Sequence, residues 1–330
     1  MRWDHSRALE VGRDVVATEH RLCELQLANR ERLIQTLDRH PLDAMSMYTM
    51  GANPTHQSQC GELANCTGGQ LLDAVESGQL VLVLHDVALH HEDYCRITRQ
   101  LYSELTECHI GLRIHDTAAD LVLASSKTIQ HYRCDHRPTI RWQLLGQQTV
   151  LTYPETPEFI DQRIAEDLIV DRSDRSLSFQ SEFDEQATTN DVLAGQMLSL
   201  PHPMPYRVEL GGESNSESDL GGGLNVWLQT QHNTRASFRR RNIYVANRVL
   251  RNLLPESFCG PELAGTWPAI KNFCARLCGL AERYSNHSYS SNEPAFAIAP
   301  KSDSNFKNFP TPITGLDIEA QNTTAVVLEN

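Results

Sequence analysis

Between residues 120 and 231 the chain breaks into short runs rich in β-branched and aromatic residues, and no other stretch limits the fold as tightly. Leu121-Val122-Leu123-Ala124, Thr139-Ile140-Arg141-Trp142-Gln143-Leu144, Thr149-Val150-Leu151-Thr152-Tyr153, Met197-Leu198-Ser199-Leu200 and Leu224-Asn225-Val226-Trp227-Leu228 are separated by Gly, Pro and Asp turn signals. Several alternate with period two, which sends one face of each strand inward and the other outward. Repeated short strands of this kind predict a closed β sandwich or barrel. The acidic stretch from Tyr153 to Asp191 reads as a connection of loop and short helix.

The flanks carry helical spacing. Residues 6–38 predict one or two helices, stopped at His40-Pro41, and 42–68 read as loop. A helix follows from Gly69 to Ser77, then a strand from Gln79 to Val87, then a helix from His90 to about Cys108. Its opening run His90-His91-Glu92-Asp93 suits a helix start better than a metal, because neighbouring residues on a helix point different ways. Tyr244, Val245, Val249, Leu250, Leu253 and Leu254 restore helical spacing after Ala236, and a second helix follows Pro268 to about Tyr284. The Ser-, Asn- and Pro-rich end predicts an extended or disordered tail. The expected organisation is α+β: mixed helical elements over 1–117, the β core over 118–232, a helical cap over 233–286 and the tail over 287–330.

Charge and cysteine usage exclude several classes of function. Lys+Arg is 29 against Asp+Glu 42 in 330 residues, a formal charge of -13 that repels a phosphate backbone, so nucleic acid is not an expected partner. The basic run Arg239-Arg240-Arg241 reads as a solvated helix start. No run approaches the ~20 apolar residues of a membrane span, and Met1 to Arg7 offers no signal-peptide core, so no membrane partner and a cytoplasmic location are expected. Nine cysteines without a CxxC pair then read as small buried thiols. The Gly-rich stretch 211–223 carries three acidic residues and no Lys, which suits a lid or surface loop rather than a phosphate loop.

Three segments carry a family likeness: Tyr132-Arg133-Cys134-Asp135, Trp142 through Gly146-Gln147-Gln148 to Tyr153-Pro154, and Gly195 through His202-Pro203 to Tyr206-Arg207-Val208. Their order resembles the bacterial cupin-like proteins related to JmjC oxygenases. The likeness continues through Leu224-Asn225-Val226 to about Arg251, and upstream to Leu37-Asp38-Arg39-His40-Pro41 and Ser6-Arg7-Ala8-Leu9-Glu10. It implies a central double-stranded β-helix, the jelly roll of that family. It also implies an Fe(II) site built from a His-x-Asp pair and a distant His, with room for 2-oxoglutarate and oxygen. Such a facial triad suits Fe(II) because it leaves neighbouring positions open for co-substrates.

On this chain the His-x-Asp pair falls on Arg133-Cys134-Asp135, and the distant His falls on Tyr206. Only Asp135 remains. The basic co-substrate anchor falls on Gln148, with Thr139 and Trp142 as further candidate ligand contacts. Arg133 has no lone pair to give a metal, so it is expected to pair with Asp135. That pair either mimics the missing metal's charge and holds an anion, or fills the old site as a structural ion pair. Three functional readings follow: a ligand-binding or regulatory pseudo-oxygenase without iron; an active Fe(II)/2-oxoglutarate hydroxylase with a metal site rebuilt from His131, Asp135 and His202; or metal-free chemistry with Tyr206 as acid or base beside Arg133. The partner is expected to be a small molecule or protein in the barrel pocket, with a homodimer through helical elements as a further expectation.

Overall fold

The computed structural model describes residues 10–49, 59–63, 66–78, 80–109, 112–126, 128–171, 177–211, 223–251, 253, 255–260, 265–277, 296–299 and 326–327. It opens with β1 (Val16–Glu19), a 3-10 turn at Leu22–Leu25 and α1 (Arg30–Arg39). Then come β2 (Met45–Thr49), β3 (Gln59–Leu63), α2 (Gly68–Ser77), β4 (Leu80–Leu84), α3 (Val87–His90) and α4 (Glu92–Cys108). The next strands are β5 (Ile114–Ser125), β6 (Ile129–Cys134), β7 (Thr139–Leu145), β8 (Gln147–Thr152), β9 (Thr188–Leu193), β10 (Gln196–Leu200), β11 (Pro205–Gly211) and β12 (Leu224–Thr234). Helix α5 (Gln162–Asp171) lies between β8 and β9, and α6 (Arg235–Leu250) and α7 (Thr266–Leu277) follow β12. Short strands β13 (Phe296–Ala299) and β14 (Val326–Val327) come last.

Strand order identifies the architecture. The small sheet runs β6-β11-β8-β9, and the large sheet runs β1-β10-β7-β12-β5-β4-β2-β3-β13-β14. From β5 to β12 the chain passes between the sheets, with β5, β7, β10 and β12 in the large one and β6, β8, β9 and β11 in the small one. Every pairing among these eight strands is antiparallel. This is the double-stranded β-helix, an α+β fold with mixed elements before the barrel and a helical cap after it.

Alternation divides the large sheet into two chemically different faces. Ile140, Trp142 and Leu144 of β7 and Val226 and Leu228 of β12 join Leu82, Leu84, Leu121 and Leu123 in the main core, which also takes in Leu33 and Leu37 of α1, Leu71 and Leu72 of α2 and Leu101 and Leu105 of α4. The opposite face holds Val81, Val122, Leu198 and Trp227, and packs inside the barrel on Val150, Tyr206, Val208 and Leu210 of the small sheet. Local signals fix the covering helices. Thr67 and Gln70 form a reciprocal capping box on α2, Thr234 and Ser237 form another on α6, and the Asn29 side chain accepts from Glu31 N on α1.

Several expectations need correction. The segment expected to be one or two helices over 6–38 contains β1, whose Val16-Ala17-Thr18 extends the large sheet against β10, before α1 forms. Residues 42–68, expected to be loop, include β2 and β3; Met47 pairs with Leu82 and is fully buried. Tertiary pairing overrides the weak local signal there. The acidic connection 153–191 contains the expected short helix, α5, but also the start of a polar strand that was not expected, β9, whose Asn190 and Val192 pair with Val150 and Gln148. Within the stretch expected as a tail, Phe296–Ala299 pairs parallel with β3. The proposed lid at 211–223 lies outside the described residues apart from Gly211 and Gly223.

Candidate functional site

The site is set by one irregularity in β6. Tyr206 of β11 pairs with Arg133 and Val208 pairs with Gln130, so the one intervening residue of β11 stands against two of β6. That extra residue is a β-bulge, which breaks strict alternation. Arg133 and Gln130, an odd number of steps apart, therefore sit opposite the barrel-facing Tyr206 and Val208.

Asp135 lies just past the end of β6, almost wholly buried. The Arg133 Nη2 donates to its Oδ1 at 3.1 Å, and the Tyr206 hydroxyl lies 3.0 Å from both Oδ1 and Oδ2. Tyr206 is 1% exposed, while the Arg133 side chain keeps 25% of its surface. Arg133 thus stands toward solvent, Tyr206 stands inside, and the carboxylate between them uses both oxygens. The expected Arg133–Asp135 pair is present, with the phenol as its third member.

Deeper in the barrel lies a cation that the sequence reading did not single out. Arg141 of β7 is 0% exposed. Its Nε and Nη2 donate to Gln148 Oε1 at 3.0 and 2.8 Å, Nη2 also reaches Gln130 Oε1 at 3.2 Å, and Nη1 reaches Gln229 Oε1 at 3.3 Å. Its guanidinium carbon lies 4.5 Å from the Trp227 ring centroid and 5.8 Å from that of Tyr206, and it is hydrogen-bonded to the Tyr206 phenol. Burial pulls its pKa below the usual arginine value, opposed by Tyr206 and Asp135 and reinforced by Arg133. Gln148 Nε2 donates to Gln143 Oε1 at 2.5 Å, and Gln143 Nε2 donates to Leu145 O at 2.7 Å. The interior is a connected amide network around one guanidinium.

A signal for this network was present in the strand patterns. Thr139, Arg141 and Gln143 form the polar half of β7, and Gln229 and Gln231 continue it on β12. A polar face on two central strands of a barrel points into a pore. The turn between β7 and β8 is fixed by Gly146, at φ +76, where a Cβ would collide with the Asn225 side chain.

Other candidates are placed differently. Trp142 faces the outer core, with its Nε1 donating to Thr230 Oγ1 at 2.9 Å and its ring edge-on to His20, so it is no contact for a barrel ligand. Gln148 does line the interior, where it holds Arg141. Thr139 is buried at the strand start, with its hydroxyl 3.1 Å from Arg137 O. His202 sits in the β10–β11 turn with both ring nitrogens shielded and, among the described residues, without a hydrogen-bond partner. Burial, Arg240 and His136 hold its pKa well below the ordinary histidine value. Among the described residues no three His, Cys, Asp or Glu side chains form a group able to hold a metal, so His131, Asp135 and His202 do not converge.

These residues do not fit the Fe(II) centre that the family likeness implies. A guanidinium occupies one ligand position, a phenol directed at Asp135 occupies another, and both oxygens of the single carboxylate are engaged.

No family model matches the chain, and no curated protein matches it. Among solved structures, it is similar to Escherichia coli YcfD with a TM-score of 0.44 and 11% identity, over 86% of this chain and 70% of that one. A structure described as the ribosomal oxygenase YcfD with cobalt and 2-oxoglutarate gives a TM-score of 0.41 at 11% identity, over 85% and 67%. A variant of the Bacillus subtilis oxalate decarboxylase OxdC gives 0.22 at 15% identity, over 43% and 27%. At these scores the likenesses add no weight, and the fold stands on its strand order.

Proposed function

We propose that the chain is a ligand-binding pseudo-oxygenase that works without iron. One observation carries this reading. The positions that the family likeness assigns to metal ligands hold Arg133, Asp135 and Tyr206, already joined by hydrogen bonds at 3.1, 3.0 and 3.0 Å. A guanidinium in contact with the one carboxylate supplies the positive charge that a cation would otherwise bring. The partly exposed Arg133 and the buried polar interior suit recognition of a small molecule or a protein side chain.

Anaerobic Fe(II) titration by calorimetry, with and without 2-oxoglutarate, tests the reading on metal-stripped protein and on Asp135→Ala. No stoichiometric iron binding is expected. One-to-one binding abolished by Asp135→Ala would replace this reading with that of an active hydroxylase. The double variant Arg133→His/Tyr206→His recreates two imidazoles beside Asp135, and gain of iron binding there would show that the two side chains are what excludes the metal.

A further inference from the structure

Helix α7 is inverted in polarity. Its polar residues turn inward: Lys271, 2% exposed, donates to Asn247 Oδ1 at 2.6 Å, and Asn272 Oδ1 accepts from Asn242 at 2.9 Å, both partners being on α6. Its apolar residues turn outward, with Trp267 at 37%, Ile270 at 45% and Phe273 at 60% exposure, and with Ala269 and Cys274 exposed beside them. Phe258, 46% exposed, extends this stripe; its ring lies edge-on to Trp267 at 5.9 Å and its carbonyl accepts from Trp267 Nε1 at 2.8 Å. Phe258, Trp267 and Phe273 are the exposed Phe and Trp side chains among the described residues. A surface helix ordinarily turns its apolar stripe to the core, and a contiguous apolar patch left outside marks a contact surface.

We propose that this face is the contact surface of a two-fold homodimer, in which α7 packs antiparallel on α7 of a second copy with Ile270 at the axis. Three features point to a second copy as the occupant. The first is symmetry. Trp267, Ile270 and Phe273 follow one another at intervals of three on one stripe, so the sequence aromatic, aliphatic, aromatic reads alike from either end. A two-fold through Ile270 sets Trp267 against the partner's Phe273 and Phe273 against the partner's Trp267, the self-complementarity that an isologous contact requires. The second is charge. Two copies at a formal charge of -13 repel each other, yet Thr266–Leu277 contains no Asp or Glu, so the faces meet without setting carboxylate on carboxylate. The third is area. With ~150–250 Å² to an aromatic side chain, the exposed parts of Phe258, Trp267, Ile270, Phe273, Ala269 and Cys274 amount to about 500 Å² in each copy. Two copies together then remove on the order of 1,000 Å² from water, the size at which specific interfaces begin. The surface lies on the cap and is independent of what the barrel binds.

Sedimentation velocity on the full chain, from about 1 to 100 µM, tests the proposal. The mass is expected to rise from one chain to two, half-associated at on the order of 10 µM. Ile270→Glu places two carboxylates together at the axis and should weaken association by about 100-fold. Leu89→Glu, at an 80% exposed position on α3, should leave it unchanged. Trp267→Glu and Phe273→Lys test the orientation. Each alone should be largely monomeric, and an equal mixture should associate about 10-fold more tightly than either, because an antiparallel contact gives the mixed dimer one Glu–Lys pair and one intact aromatic pair. All these positions are exposed, and an unchanged Tm at the lowest concentration checks that each variant is folded. A single-chain mass across the whole range overturns the proposal and leaves the face to another segment of this chain or to another protein. Association undiminished in Ile270→Glu, or a mixture no tighter than its parents, overturns it as well.

Discussion

Asp135 shows how much of a site can be settled by a single carboxylate. Its two oxygens are shared by Arg133 and Tyr206, so Tyr206→Phe removes one donor while leaving the buried charge in place. A loss of about 1–3 kcal/mol is expected in urea unfolding at pH 7; no change in the midpoint would mean that the phenol contributes nothing to holding the carboxylate. Arg133, Asp135 and Tyr206 were legible from sequence because their segments keep a recognisable order. Arg141 holds no family position and shows itself only in the polar alternation of its own strand, Thr139, Arg141 and Gln143. The bulge in β6 leaves no mark in composition.

At the scale of elements, the junction of α3 and α4 packs three imidazoles against the end of α1. His40 Nε2 lies 3.2 Å from Ala44 O, so that nitrogen carries the proton; its Nδ1 then accepts from His91 Nε2 at 3.1 Å, while His90 meets the ring edge-on. Burial, then His91 and His90, lower the His40 pKa to about 4; burial lowers His20 and His232 to about 4 as well. The folded values lie below the unfolded one, so protons favour the unfolded chain: stability is full above about pH 6.5 and falls as the pH drops toward 4. Each of these histidines contributes up to about 1.4 kcal/mol per pH unit in that window. Urea midpoints measured from pH 7 to pH 4.5 should decline steeply, and a flat profile down to pH 5 would contradict the buried neutral rings. The tight β7–β8 turn makes a second element-level prediction: Gly146→Ala forces a side chain into the left-handed region against Asn225 and should cost about 1–3 kcal/mol by the same measurement. Helices with clean periodicity, such as α2 and α4, were readable, α2 with a capping box as well. Strands β1, β2, β3 and β9 were not, because they are short or polar and owe their form to partners distant in sequence.

Across the whole molecule, the cap is tied to the barrel's β8–β9 connection by a buried polar knot. Asn247 of α6 donates to Glu166 of α5 at 2.8 Å and accepts from Lys271 of α7 at 2.6 Å, and Arg251 donates to the other Glu166 oxygen at 2.6 Å. Asn247→Leu takes the shared amide from Glu166 and Lys271, while Glu166 keeps Arg251, and should cost about 1–3 kcal/mol. Hydrogen exchange should show α7 losing protection before β7 and β12; equal loss in all three would mean that cap and barrel open as one unit. The double-stranded β-helix was legible from its strand run and motif order, whereas the docking of its helices was not, since that depends on contacts such as this one. The amide cage around Arg141 has a consequence for how such a barrel can change its chemistry by mutation. Each of Gln130, Gln148, Gln229 and Tyr206 answers to the same guanidinium, so altering any one strands polar atoms on the others. Single substitutions toward a different pore should therefore each be penalised, and only coordinated changes on β6, β7, β8, β11 and β12 would cross from this interior to another. The present arrangement behaves as a local optimum, reached through several steps and left only through several.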